Sequence, residues 1–228
     1  WGYGNSPACG NTIAYNHIHH IGNGELSDMG GIYTLGESKG NRIIGNVIHD
    51  IKAFDYGGWG IYTDEGTSNT TIMDNLVYHC HDGAFHQHYG KNNKIQNNIF
   101  AFGDNCQIQI TRAEAHKSFT FRRNIILLER GTTAIGKWFD ANMKISRNLY
   151  WSYGNELVFC GKERDEWKKE RERNAIFADP LMSAPLEGDF SFKSKKTIKK
   201  IKFKPFDYNK AGVYGSEEWR RKAEWAKP

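Results

Sequence analysis

Apolar and polar positions alternate over short stretches through the first two thirds of the chain, and the stretches recur. An Asn sits three residues after one apolar residue and two before another in Ile13-Asn16-Ile18, Ile43-Asn46-Ile48 and Ile72-Asn75-Val77. The same spacing returns in Ile95-Asn98-Phe100, Phe121-Asn124-Ile126 and Ile145-Asn148-Tyr150. Successive Asn are between 23 and 30 residues apart. A second apolar segment follows each one: Gly31-Ile32-Tyr33-Thr34, Gly60-Ile61-Tyr62-Thr63, Gly83-Ala84-Phe85-His86, then Cys106-Gln107-Ile108 and Thr133-Ala134-Ile135. In the first two repeats an inserted loop, residues 22–29 and 52–56, precedes that segment.

Short period-two strands recurring at this interval predict an all-β parallel β-helix of about six coils over residues 1–160. Each coil buries its inward side chains only by stacking on its neighbours. An Asn at a fixed turn position stacks into a ladder of amide hydrogen bonds along the axis. That gives Asn16 to Asn148 a structural task. A β-sandwich would also show regular strands, but six in-phase Asn argue against it. No helical period before residue 160 supports a doubly wound α/β fold.

The pattern stops after Cys160, and residues 161–228 read as a C-terminal cap with short helices. Glu163 to Asn174 lacks Gly and Pro and predicts a short exposed helix with Trp167 as its one large apolar residue. Phe190-Ser191-Phe192 predicts a last strand. Ser216 resembles an N-cap with Trp219 as a packing anchor. The basic run from Lys193 to Lys204 reads as a solvated face protecting an edge.

Charge sharpens this division. The 228 residues carry a net +5. Residues 1–160 hold 13 Lys and Arg against 14 Asp and Glu, and the remainder hold 18 against 12. The neutral coils therefore offer no polyanion groove, and nucleic acid is not an expected partner. No apolar run is long enough for a membrane span, so no membrane partner is expected. The four Cys (Cys9, Cys80, Cys106, Cys160) fit no zinc module and read as buried thiols. The chain opens on Trp1 with no leader pattern, so a signal peptide is absent or removed. A bare first coil would be an aggregation edge. The expectation is a longer parent chain with further N-terminal coils, or a partner covering that edge.

Outward side chains on stacked coils form a groove, and the inserted loops form its wall. If Ile32 and Ile61 face inward, Tyr33, Tyr62 and Asp64 face outward. Continuing the alignment, Phe85 follows Tyr62, Gln87 follows Asp64 and His88 follows Glu65, with Gln107 and Gln109 next. The groove then gathers Asp28, Glu37, Asp64 and Glu65. Two carboxylates facing a sugar are what glycoside hydrolysis needs, one as acid and one as nucleophile or base. Each acid alone is better explained as a turn residue than as a catalyst; clustered beside Tyr and His on one face, they favour catalysis. Tyr33, Tyr56, Trp59, Tyr62, Phe85 and Tyr89 flank the acids, as aromatic rings that stack on sugars or pack loops. His86 and His88 share a strand face. They fit sugar or acid hydrogen bonding better than zinc, for which no third ligand is evident; no metal or cofactor is expected. Arg112 and His116 lie one coil later and could orient substrate, or Arg112 could pair with Glu114. His19 and His49, three after successive ladder Asn, read as a surface ladder.

Three longer motifs carry a resemblance. They are Leu26-Ser27-Asp28-Met29-Gly30-Gly31-Ile32-Tyr33-Thr34-Leu35-Gly36, Tyr56-Gly57-Gly58-Trp59-Gly60-Ile61-Tyr62-Thr63-Asp64-Glu65-Gly66 and Phe85-His86-Gln87-His88-Tyr89-Gly90. With Phe203-Lys204-Pro205-Phe206-Asp207-Tyr208 and Ala211-Gly212-Val213-Tyr214-Gly215, the chain resembles bacterial right-handed parallel β-helix glycoside hydrolases of family 141, which include fucosidases and xylanases. The resemblance covers the C-terminal portion of such proteins. It implies a right-handed helix, secreted or periplasmic localisation, a polysaccharide or oligosaccharide substrate and no cofactor. It also implies an acid pair on successive coils, matched here by Asp28 and Asp64 with Glu65 as alternate. Tyr33, Glu37, Trp59, Tyr62, His86, His88, Arg112 and His116 are the expected substrate contacts. A non-catalytic carbohydrate-binding or adhesion β-helix is the competing function. The Gly-His-Gly motif expected of a polygalacturonase is absent from the sequence.

Overall fold

The computed structural model describes residues 2–5 and 7–224. Three parallel sheets run the length of a right-handed solenoid of about six turns. The first sheet stacks Thr12–Ala14, Arg42–Ile44, Thr71–Met73, Asn93–Gln96, Phe119–Arg122 and Met143–Ser146. The second stacks His17–Ile21, Val47–Ile51, Leu76–Cys80, Ile99–Ala101, Ile125–Leu128 and Leu149–Ser152, and ends on Ile176–Phe177. The third stacks Gly30–Thr34, Trp59–Thr63, Gly83–Gln87, Cys106–Ile110, Thr132–Gly136 and Val158–Phe159, then closes on Lys162–Glu163 paired antiparallel.

The repeating Asn sits between the first and second sheets. Each ladder Asn donates its amide to the Oδ1 of the Asn one coil on, at 2.9–3.1 Å from Asn16 through Asn124. The same Oδ1 also accepts the backbone N–H of the preceding Asn. Asn46, Asn75, Asn98, Asn124 and Asn148 are fully buried, so every bond replaces water that cannot reach the corner. The residue before each one has a left-handed backbone: Tyr15, Gly45, Asp74, Asn97, Arg123 and Arg147 all lie at φ between 56° and 67°. A single left-handed residue turns the chain from one sheet to the next. Five of the six are not glycine, and the ladder holds them there.

The ladder ends on a carboxylate. Glu172 Oε1 accepts the Asn148 backbone N–H at 2.7 Å and its amide at 3.1 Å, while Tyr150 donates its hydroxyl to Oε2 at 2.7 Å. Burial pushes the Glu172 carboxyl up to about 7. Glu172 follows the helix α1 (Arg164–Glu170), which lies over the end of the core. Trp167 of α1 is fully buried, stacked on Phe159 with ring centroids 4.6 Å apart. The expected short helix is present, but its Trp is a plug for the solenoid interior: Trp138, Tyr150 and Phe159 leave an apolar end that it fills.

The remaining chain does more than cap. Met182–Ala184 pairs antiparallel with Asp189–Phe192, which contains the expected Phe190-Ser191-Phe192 strand. Helix α2 (Lys196–Lys200) follows, and Ile198, Ile201 and Phe203 are buried with Ile99, Ile125 and Leu149 of the second sheet. The basic run is thus a strap whose apolar residues cover a sheet face, with its lysines turned outward; it does not shield an edge. The strap runs back along the solenoid. Asn97 exchanges two hydrogen bonds with the Lys204 backbone, and the Gly212 N–H reaches Tyr15 in the first coil at 2.9 Å. Helix α3 (Glu217–Glu224) follows Ser216, whose hydroxyl accepts the Trp219 N–H at 3.4 Å. Trp219 is 61% exposed, with the Lys222 ammonium 5.5 Å from its ring centroid, and is not the expected packing anchor.

Two further expectations change. The four cysteines are free, but only Cys80 and Cys106 are buried, and Cys9 is exposed. On the third sheet the register is one residue from that expected. His86 pairs with Tyr62 and Gln87 with Thr63, while Phe85 pairs with Ile61. The reason is a break in alternation. Gly60 and Ile61 both face the interior: a Cβ on Gly60 would lie 2.0 Å from Val77 Cγ1 and 3.1 Å from Cys80 Sγ. Ala84 and Phe85 repeat the arrangement, both fully buried.

Candidate functional site

That double inward turn sets the outer face of the third sheet. With Gly60 and Ile61 inside, Trp59 and Tyr62 fall together on the outside, their ring centroids 4.5 Å apart. One coil on, His86 takes the Tyr62 position and stacks on it at 4.6 Å and 13°, with Trp59 tilted against both rings and 4.1 Å from His86. Gln109 takes the next position and accepts the Trp59 indole N–H at 2.8 Å. Tyr33 precedes Tyr62 in the same row, edge-on at 5.1 Å. Phe85 faces the core and leaves this group, and Gln107 turns inward onto the Gly103 backbone.

The row floors a groove of about 590 Å3. Asp28, Asp64, Glu65 and Asp82 line it beside Tyr33, Tyr56, Trp59 and Tyr62, and His86, His88, Gln109 and Thr111 complete the wall with Tyr3 and Leu35. Asp64, nearly buried, accepts the Tyr33 hydroxyl at 2.6 Å. The Tyr62 hydroxyl donates to Asp28 at 3.3 Å and feels the nearby Asp64 carboxylate. Burial, reinforced by the Asp64 carboxylate, drives the pKa values of Tyr33 and Tyr62 far above the ordinary phenol range. Both stay protonated and act as donors. Tyr56 is raised too, chiefly by the Asp28 carboxylate.

Asp28 comes from the first inserted loop, and the second loop holds it. The Asp28 N–H donates to Tyr56 O at 3.0 Å, and the Gly58 and Trp59 N–H groups donate to Met29 O at 3.0 and 3.1 Å. A side chain on Gly57 would meet Asp28 N at 2.7 Å, so the close approach of the loops needs glycine there. The second loop is itself tied down by Asp82, which accepts the Gly57 N–H and, at 2.8 Å, the Asn105 amide. Asp28 has φ +52°, a strained setting that its loop-to-loop bonds hold.

The histidines meet on one hydroxyl. Thr111 Oγ1 lies 2.9 Å from His86 Nε2 and 2.7 Å from His88 Nδ1. His88 Nε2 is 4.0 Å from Glu65 Oε1. Burial lowers His86 to about 3, so its ring is neutral. Among the described residues no group of three or more His, Cys, Asp or Glu is arranged to hold a metal ion.

Three expected contacts lie elsewhere. Glu37 pairs with Lys91 at 3.2 Å and accepts the Asn69 amide. Arg112 stacks over Tyr89 at 4.4 Å and faces Glu114 at 3.7 Å, and His116 bonds the same Glu114 at 3.0 Å. Glu114 holds both side chains outside the groove lining, which contains no Lys or Arg among the described residues. Asp82 and Thr111 went unread in the sequence. Asp82 precedes the Gly83 strand, and Thr111 follows Gln109 by two on the same outward row; those positions were the available signals.

On the second sheet His19 and His49 are in register and stacked at 5.2 Å, the expected surface ladder, joined by His17 at 2.7 Å from His49. No described helix is long and apolar enough to cross a membrane.

No curated protein and no solved structure matches the chain. The family model described as right handed beta helix region matches residues 4–149, from the first coil to the last ladder Asn. With its three parallel sheets and stacked corner, the chain belongs to that right-handed β-helix family.

Proposed function

We propose that the groove binds a polysaccharide or oligosaccharide and hydrolyses a glycosidic bond, with Asp28 and Asp64 as the working carboxylates. One observation carries the reading: acids from two successive coils, Asp28 held by the Tyr62 hydroxyl and Asp64 by that of Tyr33, meet beside two rings in edge contact inside one aromatic-walled groove. Neighbouring tyrosines hold the two carboxyl groups on one face, as a pair roughly 5–10 Å apart needs to act on one bond. One protonates the leaving oxygen; the other attacks the sugar or activates water. Tyr33 and Tyr56, the exposed rings of the wall, present faces for sugar rings. Four carboxylates without a lining Lys or Arg disfavour a uronate substrate. The sequence resemblance to family 141 glycoside hydrolases, with bacterial origin and secreted or periplasmic localisation, belongs to this same reading.

Asp28→Asn and Asp64→Asn, assayed for sugar release across a panel of neutral polysaccharides, should each lower turnover at least about 100-fold. Glycan binding that survives both changes, with no sugar released by the unaltered chain, would instead establish the carbohydrate-binding alternative.

A further inference from the structure

Thr111 is the point where the two groove histidines meet, and simple proton counting gives the meeting a direction. A hydroxyl carries one hydrogen and can accept others. His86 is 2% exposed and neutral, so it holds one N–H and one lone pair. Its Nδ1 is buried with no partner. Placing the proton there would strand a buried donor; placing it on Nε2 gives that proton the Thr111 oxygen at 2.9 Å. Thr111 then accepts from His86, and its own hydrogen remains for His88 Nδ1 at 2.7 Å. With Nδ1 occupied as acceptor, a neutral His88 carries its proton on Nε2, the atom 4.0 Å from Glu65 Oε1. That gap is too long for a hydrogen bond. It is short enough for the carboxylate to favour a donor on that side.

We propose that Thr111 is the positioning residue of the groove: its hydroxyl joins His86 and His88 into a one-way hydrogen-bond chain that locks His86 into the aromatic wall and turns the His88 Nε2–H towards Glu65 and bound sugar. The inference rests on the glycosidase reading for its function, though the chain itself does not. It divides labour among three acids. Asp64 and Asp28 are held by phenol hydroxyls and face the scissile bond, whereas Glu65 is read by a histidine and helps orient the substrate donor. It also accounts for a histidine packed against both Trp59 and Tyr62. Protonating its Nδ1 would strand a buried N–H with no acceptor, so the ring stays neutral and Nε2–H is the one donor it offers Thr111.

The test uses the full chain. Nitrogen-15 imidazole NMR should show His86 neutral and Nε2-protonated down to pH 5, and His88 as a single Nε2–H tautomer at neutral pH. Thr111→Val keeps the β-branched shape and removes the hydroxyl; His88 should then become a tautomer mixture, and Thr111→Ser should restore the single form. On a glycan that the unaltered chain cleaves, Thr111→Val should lower kcat/KM about tenfold, mainly through KM, and Ser should recover it. His86 titrating near 6.5, or an unchanged His88 tautomer in the Val variant, overturns the chain. Altered tautomers with no glycan cleaved or bound by the unaltered protein would leave the chain standing and overturn the glycosidase reading instead. Cleavage with identical spectra and kinetics in both forms would do the reverse.

Discussion

The Asn corner and the outer face of the third sheet are built from the same coils, yet they obey opposite rules. At the corner every coil repeats one residue, and each Asn bonds the next with nearly the same geometry. On the outer face the equivalent positions read Tyr33, Tyr62, His86, Gln109 and Ile135. Repetition satisfies the buried backbone of a solenoid; departure from it collects different chemical groups in one place. The comparison teaches that in this chain the residues that recur hold the fold, and the residues that break the recurrence form the groove.

Breaking the corner should cost most. Asn98→Ala removes the acceptor of two buried donors, the backbone N–H and the amide of Asn75, and abandons Ile72 O and Gln96 O. Urea unfolding should show a loss of about 3–5 kcal/mol, since each buried unpaired group costs about 1–3 kcal/mol. Next comes the ladder's end. The Glu172 carboxyl is raised from its ordinary 4.5 to about 7. The folded state therefore holds a proton that the unfolded chain releases. That contribution is fully present below about pH 4.5 and is lost as pH rises through 7. The loss is about 3 kcal/mol at about 1.4 kcal/mol per pH unit. Glu172→Gln keeps an oxygen for Asn148 and cannot ionise. Its unfolding midpoint should lack this fall between pH 5 and 8, whereas an unchanged slope would remove Glu172 as its cause.

The groove should respond in the other currency, function without stability. Tyr33→Phe removes one donor to Asp64 from a partly exposed ring, so unfolding should shift by no more than about 1 kcal/mol. Sugar release should fall more than that shift explains. The smallest effect sharpens the corner itself. Arg147 is exposed at φ +56°, and Arg147→Gly should gain about 0.5 kcal/mol as relief of the left-handed strain outweighs glycine's extra chain entropy.

The same contrast explains what the sequence disclosed. Six in-phase Asn made the coil count and the corner legible, because a solenoid repeats whatever its buried turn requires. The acids and aromatics were legible as a cluster, since Asp28, Asp64, Tyr33 and Tyr62 flank matching Gly-Ile-Tyr segments. The register beyond Tyr62 was not. Strict alternation assigns Phe85 outward, but Gly60 with Ile61 and Ala84 with Phe85 turn inward in pairs, and no period-two rule contains that. Asp82 and Thr111 act through contacts with a loop and with two histidines whose neighbours are 23 to 25 residues away. The strap from Met182 to Gly212 was hidden because its lysines dominate the pattern, while the apolar residues that seat it are spaced among them.

The most direct test of the central claim is sugar release by Asp64→Asn, compared with the unaltered chain on the same polysaccharide and at matched folded concentration. The account predicts at least about a 100-fold loss of release with the unfolding midpoint almost unmoved. Undiminished release from a fully folded Asp64→Asn protein would contradict it.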